Sequence, residues 1–173
     1  MELNPLTALS PIDGRYARQT DALRDIFSEC AFMNARVRVE VEWLISLSEA
    51  GFAELPHLSD HGKAFLRGLA DNFSLADCEA IKEIEKTTNH DVKAVEYWIK
   101  NQVAHDEELK SASEFVHFSC TSEDINNTSH AIMLKRGREA LADYLQQIHD
   151  TIAGFAHQWA EIPMLSRTHG QTA

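Results

Sequence analysis

A regular apolar repeat in the last third of the chain restricts the fold more than any other feature. Six large apolar residues follow one another at steps of four and three positions: Leu141, Leu145, Ile148, Ile152, Phe155 and Trp159. Such spacing is typical of the inward-facing positions of packed helices. It predicts a helix from about Ser122 to Glu161, before Pro163, with a length of about 60 Å at 1.5 Å per residue. A helix of that length in a chain of 173 residues needs partner helices.

The upstream sequence also predicts helices. Apolar periodicity and capping residues place them at about 28–50, 59–72, 75–86 and 92–103. No segment alternates as a strand does, and the first twenty residues are broken by Pro5, Pro11 and Gly14. We therefore predict an all-α fold. An N-terminal helical domain over 1–110 would be followed by the beginning of a central helix-bundle domain over 111–173.

Individual residues refine the predicted helix boundaries. The first long helix is expected to bury a face that contains Phe32, Val39, Trp43, Leu47 and Ala50. Ser59 and Ser74 are expected to cap the next two helices. Ser111 to Glu114 has capping-box spacing and predicts the start of a short helix.

Composition excludes several classes of function. The net charge of −11 argues against binding to nucleic acid or to an anionic membrane surface. No apolar stretch is long enough to span a membrane. Cys30, Cys78 and Cys120 are widely spaced, which predicts neither a disulfide framework nor a zinc site and favours a cytoplasmic location. His57 and His61 have ligand spacing, but no third ligand accompanies them, so no metal and no cofactor are expected.

Three polar clusters are candidates for chemistry: Thr87–Asp91, Thr121–Asn127 and Ser166–Gln171. Taken singly, the first is more typical of a break between helices in which Asn89 is the cap, the second of a helix cap, and the third of a loop. The functional alternative is that helix N-termini hold an anion while a histidine transfers a proton. The third cluster lies close to the end of the chain, where residues usually fray. This position suggests that the chain is truncated.

Taken together, the clusters resemble the adenylosuccinate lyase family. The resemblance rests on four segments in the family's order, namely 10–16, 86–97, 115–127 and 165–171. The family belongs to the fumarase and aspartase superfamily, whose members are all-α homotetramers. The resemblance implies β-elimination of fumarate from a small-molecule nucleotide substrate, adenylosuccinate or the related imidazole-carboxamide nucleotide, in purine biosynthesis, without metal or cofactor.

The resemblance also implies roles for individual residues. His169 resembles the general acid that protonates the departing nitrogen, and His90 resembles a second residue of the catalytic centre. The other residues implied to bind or orient the substrate are Arg15, Tyr16, Asn89, Asp91, Thr121, Ser122, Thr168 and Gln171. The general base of the family is a serine on a loop further downstream, so the chain alone is expected to be inactive.

Two alternatives remain open at this point. The first is that the chain comes from another lyase of the superfamily, such as argininosuccinate lyase, aspartase or fumarase. The chain is also compatible with a non-catalytic helical interaction module, in which the repeat from Leu141 to Trp159 is the functional surface and the polar clusters are only caps.

Overall fold

A computed structural model describes residues 4–172 and confirms the predicted all-α fold. The helices are Arg24–Phe27 (α1), Glu29–Glu49 (α2), Asp60–Asp71 (α3), Leu75–Thr88 (α4), Asp91–Val103 (α5), Glu107–Ala112 (α6) and Ser122–Gln158 (α7). Short 3₁₀ turns occupy Asp21–Leu23 and Ser113–Phe115, and two strands of two residues each, Arg167–Thr168 (β1) and Gln171–Thr172 (β2), follow α7.

The chain divides into two compact units. The first extends to Gly137 and contains α1 to α6 with the first part of α7, and the second begins at Arg138. The long helix predicted from the apolar repeat is present, with 37 residues and a length of about 55 Å at 1.5 Å per residue. The domain boundary expected at residue 110 stays a prediction.

The core of the first unit lies among α2, α3, α4 and α5. Its fully buried side chains include Val37, Val41, Leu44, Leu66, Ile81, Val95 and Ile99. On α2 the buried residues Val37, Val41 and Leu44 repeat at helical spacing. Of the predicted face, Leu47 is buried, whereas Phe32, Val39 and Trp43 are only half-buried. The buried face of α2 is therefore rotated from the predicted one, because α3 and α5 both pack on it.

Some predicted helix starts are confirmed and others are wrong. Ser59 accepts the Gly62 N–H, and the Asp77 carboxylate accepts the Ser74 N–H, so both serines begin helices as expected. Ser111 does not begin a helix. Asp106 caps α6 five residues earlier by accepting the Leu109 N–H at 2.9 Å, and Ser111 lies inside α6.

The sequence prediction of no disulfide is wrong. Cys30 on α2 and Cys78 on α4 form a disulfide, with their Cα atoms 5.7 Å apart. The two residues are 48 positions apart and come together only because α4 packs beside α2. Local spacing carries no signal of such a pair, so the cysteine count no longer supports a particular compartment.

The predicted apolar repeat forms an exposed stripe in the second unit. Leu145 is 65% exposed, Ile152 is 62% exposed and Trp159 is 51% exposed. Within residues 4–172 no helix combines the length and apolarity needed to cross a membrane.

Candidate functional site

The first polar cluster lies where α4 ends and α5 begins. Sequence reasoning placed Thr87 and Thr88 in a break and Asn89 as the cap, but α4 continues to Thr88. Asn89 ends α4 in the left-handed region, with φ of 50°, a conformation that asparagine tolerates. His90 is extended, with φ of −150°, and is the N-cap of α5. The cap is therefore His90, because Asn89 completes the preceding helix.

His90 is held in one orientation by its capping bond. Its Nδ1 accepts the Lys93 backbone N–H at 3.2 Å, so a neutral ring carries its proton on Nε2. That Nε2 lies 3.4 Å from the hydroxyl oxygen of Ser122, the first residue of α7. The structure thus brings the first and second predicted clusters together. His90 is half-exposed and its Nε2 edge is positioned for proton donation.

Asp91 lies beside the His90 ring, with its Oδ1 3.7 Å from His90 Nδ1, and it also pairs with an arginine. Arg36 on α2 donates from its Nη2 to Asp91 Oδ2, and the Val92 N–H donates to Asp91 Oδ1 at 2.9 Å. Burial raises the pKa of Asp91, but the Arg36 charge and these hydrogen bonds outweigh it, so the pKa lies below its ordinary value. Asp91 is consequently a carboxylate at neutral pH.

The second cluster begins α7. Thr121 donates both its backbone N–H and its hydroxyl to Asp124 Oδ2, at 2.8 and 3.0 Å. Both bonds lower the pKa of Asp124, and the backbone bond has the larger effect. The Thr121 hydroxyl retains lone pairs but has its proton engaged, whereas the Ser122 hydroxyl points to His90. Ser122 is thus the better placed of the two predicted hydroxyl groups to contact a ligand next to His90.

A buried pair fixes the loop that leads into α7. Glu40 on α2 is 1% exposed, and its Oε1 lies 2.5 Å from Nδ1 of His117. Next to it, Trp43 Nε1 donates to the carbonyl oxygen of Phe118 at 2.9 Å. Burial raises the pKa of Glu40, and His117 lowers it in part. Sequence reasoning missed the Glu40–His117 pair, since its members are 77 residues apart.

The remaining predicted residues lie outside this cluster. Arg15 and Tyr16 follow a turn in the N-terminal arm, with the guanidinium 5.0 Å from the phenol ring centre. Among residues 4–172, no hydrogen bond or ion pair joins either residue to His90 or Ser122.

The third cluster is a tight hairpin rather than the predicted loop. Arg167 pairs with Thr172 and Thr168 pairs with Gln171, which leaves His169 and Gly170 as the two turn residues. Both have positive φ, 51° and 76°, as the favoured two-residue hairpin turns require. His169 is exposed in this turn. The hairpin belongs to the second unit. The catalytic role predicted for His169 stays a prediction, as do the binding roles of Thr168 and Gln171.

Two further features concern a metal site and a cleft near these residues. Within the described part of the chain, no group of three or more His, Cys, Asp and Glu side chains is arranged to hold a metal ion. A cleft of about 540 Å³ opens between α2 and the start of α7, beside Trp43 and Cys120, but neither His90 nor Ser122 lines it. The candidate site is therefore the open junction where α5 and α7 begin.

Comparison with known proteins agrees with the resemblance seen in the sequence. The chain is 53% identical to the adenylosuccinate lyases of Vibrio cholerae and Haemophilus influenzae and 52% identical to that of Escherichia coli K12. Each alignment covers 100% of this chain and 38% of the relative, so the chain spans 38% of the length of the curated relatives that it matches. A family model described as Lyase matches residues 14–173. The chain therefore belongs to this lyase family.

Proposed function

We propose that the full-length parent of this chain is an adenylosuccinate lyase. It would cleave adenylosuccinate to AMP and fumarate, and the related imidazole-carboxamide nucleotide in the same way, in purine biosynthesis. The identity of 52–53% to curated adenylosuccinate lyases over the whole chain supports this proposal. The geometric observation that best supports the proposal is the contact between His90 Nε2 and Ser122 Oγ, where two helices begin.

The reaction requires a base, a general acid and hydrogen-bond donors for a carboxylate. A base removes a proton from the carbon next to a carboxylate of the succinyl group, and that electron pair forms the double bond of fumarate. The carbon–nitrogen bond breaks, and the nitrogen takes a proton from a general acid. Negative charge accumulates on the carboxylate before the bond breaks, so donors fixed around that carboxylate stabilise the transition state.

The junction of α5 and α7 offers such donors. The Ser122 hydroxyl and His90 Nε2–H lie side by side at the N-terminal turns of α7 and α5. The positive ends of both helix dipoles favour an anion there. We assign the succinyl carboxylate to this position. His90 and Ser122 would contact it, Thr121 would contact it by exchanging its hydroxyl bond to Asp124 for one to the substrate, and Asn89 and Asp91 would shape the site.

The general acid in this proposal is His169. Imidazole is suited to proton transfer near neutral pH, and a positioned acid contributes about 10²–10⁴-fold to the rate. Arg15 and Tyr16 would contact the nucleotide phosphate, and Thr168 and Gln171 would contact the substrate beside His169. The base serine would come from a segment of the parent beyond residue 173. The chain by itself is accordingly proposed to be inactive.

The parent is proposed to be a cytoplasmic homotetramer. The exposed stripe on α7, with Leu145 and Ile152 more than half exposed, supports association with other copies through a helix bundle. The domain division at residue 110 belongs to the same proposal, since a bundle domain would begin shortly before α7. The net charge of −11 supports the further expectation that nucleic acid and anionic membranes are not partners.

The exposed stripe also favours one alternative function, a non-catalytic interaction module. A substrate panel separates these possibilities. The purified full-length parent is incubated with adenylosuccinate, argininosuccinate, aspartate and malate, and fumarate release is followed. We expect release from adenylosuccinate. Release only from another substrate would support a different lyase of the superfamily, and no release from any would support the module.

A further inference from the structure

Arg36 on α2 is a buried cation at the point where three helices meet. Its side chain is 6% exposed. The Nη2 atom donates to Asp91 Oδ2 on α5, and Nε donates to Asn126 Oδ1 on α7 at 2.9 Å. The guanidinium also lies over the Phe32 ring, 3.9 Å from its centre. Burying an arginine is costly unless its donors are satisfied, and here two sides of the guanidinium bind one helix each.

The two partners of Arg36 are the neighbours of the candidate site residues. Asp91 follows His90 directly in the chain, and the capping bond of His90 ties its ring to the same turn. Asn126 lies four residues after Ser122, which places both on one face of α7. A shift of either partner would therefore move His90 or Ser122 and open their contact of 3.4 Å.

We infer that Arg36 is a positioning residue that sets the distance between His90 and Ser122. The inference rests on the proposed function, because it assigns a task within the same site. Arg36 acts through Asp91 and Asn126 and is too buried to be a main contact of the substrate. Lysine would keep the charge but not the planar group that binds both helices, so the two residues are not equivalent here.

Three variants of the full-length protein test the inference. Arg36→Met removes the charge and both hydrogen bonds, and Arg36→Lys retains the charge alone. Arg67→Met is the control, because Arg67 also donates hydrogen bonds from two nitrogens, at 2.7 and 2.9 Å, but both go to Glu42 on α2, and the pair lies on the surface between α2 and α3 outside the site. Rates of adenylosuccinate cleavage give kcat and KM for each variant, and circular dichroism checks folding.

We expect Arg36→Met to lower kcat/KM about 100-fold, since misplacement of a reacting group by about 1 Å costs about that much. Arg36→Lys should fall between Arg36→Met and wild type, and Arg67→Met should stay within twofold of wild type. Asn126→Ala frees only one side of the guanidinium and should lower kcat/KM about tenfold. It provides the test if Arg36→Met does not fold. Wild-type kinetics in both Arg36→Met and Asn126→Ala would overturn the inference.

A double variant separates positioning from a general structural role. If Arg36 acts through His90, then Arg36→Met should cost less than threefold in a His90→Ala background. A further loss of about 100-fold in that background would overturn the inference, because independent effects multiply.

A structural comparison keeps the inference separate from the proposed function. If the wild-type parent does not cleave adenylosuccinate, the proposed function fails, and crystal structures of the wild type and Arg36→Met decide the role of Arg36. An open gap between His90 Nε2 and Ser122 Oγ in the variant supports positioning. A contact that persists unchanged overturns it.

Discussion

The buried pair of Glu40 and His117 gives a quantitative test of how the loop before α7 is held. The Glu40 side chain is 0% exposed, and its Oε2 has no hydrogen-bond partner within residues 4–172. Its Oε1 contacts only the His117 ring among the hydrogen bonds of the side chains described. Replacing His117 with Ala therefore removes the side-chain partner of a buried carboxylate and leaves the backbone N–H of residue 117 beside it.

The magnitude of the loss follows from burial. Removing one partner of a buried hydrogen bond leaves the other group unsatisfied, which costs about 1–3 kcal/mol and more for a charged group. The His117 side chain is 19% exposed, so water can enter the vacated space, and we expect about 3 kcal/mol. In a Glu40→Gln background the orphaned group is a neutral amide, and the same substitution should cost about 1 kcal/mol.

Urea unfolding of the 173-residue chain, followed by circular dichroism, measures this double-mutant cycle. The matched control is His149→Ala, because His149 and Asp150 also form a histidine–carboxylate pair, at 2.9 Å, but both are exposed. That variant should stay within about 0.5 kcal/mol of wild type. A loss below about 1 kcal/mol for His117→Ala, or equal losses in both backgrounds, would refute the reasoning.

The same pair predicts a pH dependence. Burial raises the pKa of Glu40 above its ordinary value of 4.5, and the nearby Glu96 charge adds to this, while His117 opposes it. The folded state therefore holds this proton more tightly than the unfolded chain. The contribution of Glu40 to stability is complete below about pH 4.5 and is lost as pH rises through the raised pKa. Glu40→Gln should gain stability relative to wild type over that window, and a constant difference would contradict the assignment.

Three further predictions address other parts of the structure. Trp43→Phe removes the hydrogen bond to the Phe118 carbonyl at 2.9 Å and should cost about 1 kcal/mol in thermal unfolding; no loss would mean that the bond is not needed. Reduction of the Cys30–Cys78 disulfide frees a loop of 48 positions and should lower the free energy of unfolding by about 4 kcal/mol, and equal urea midpoints with and without dithiothreitol would argue against it. Ile148 is 56% exposed in the stripe, so Ile148→Glu should weaken self-association in sedimentation; a wild-type chain that is monomeric at high concentration would rule this out.

Helices and their starts were predictable because their signals are local. The serines at 28, 59 and 74 stand next to the segments that they begin, and the 37-residue helix follows from a repeat that extends over several turns. The errors arose where more than one nearby residue could begin a helix. Asp106 caps α6 and leaves Ser111 inside that helix, and His90 caps α5 because Asn89 ends α4.

The site was predictable only in part. Sequence reasoning selected His90, Asp91 and Ser122, and the structure places His90 3.4 Å from Ser122 and 3.7 Å from Asp91. It could not identify Arg36, whose partners lie 55 and 90 residues away, because no local pattern marks such a pair. It also could not show that Thr121 uses its hydroxyl proton for Asp124.

The most direct test of the proposed lyase is adenylosuccinate turnover by the full-length parent carrying His169→Ala. Fumarate release is measured beside wild type and His149→Ala, a control in which the changed histidine is exposed on α7. If His169 is the general acid, its loss should lower kcat about 100-fold or more, while the control retains wild-type turnover. Wild-type turnover by His169→Ala would contradict the account.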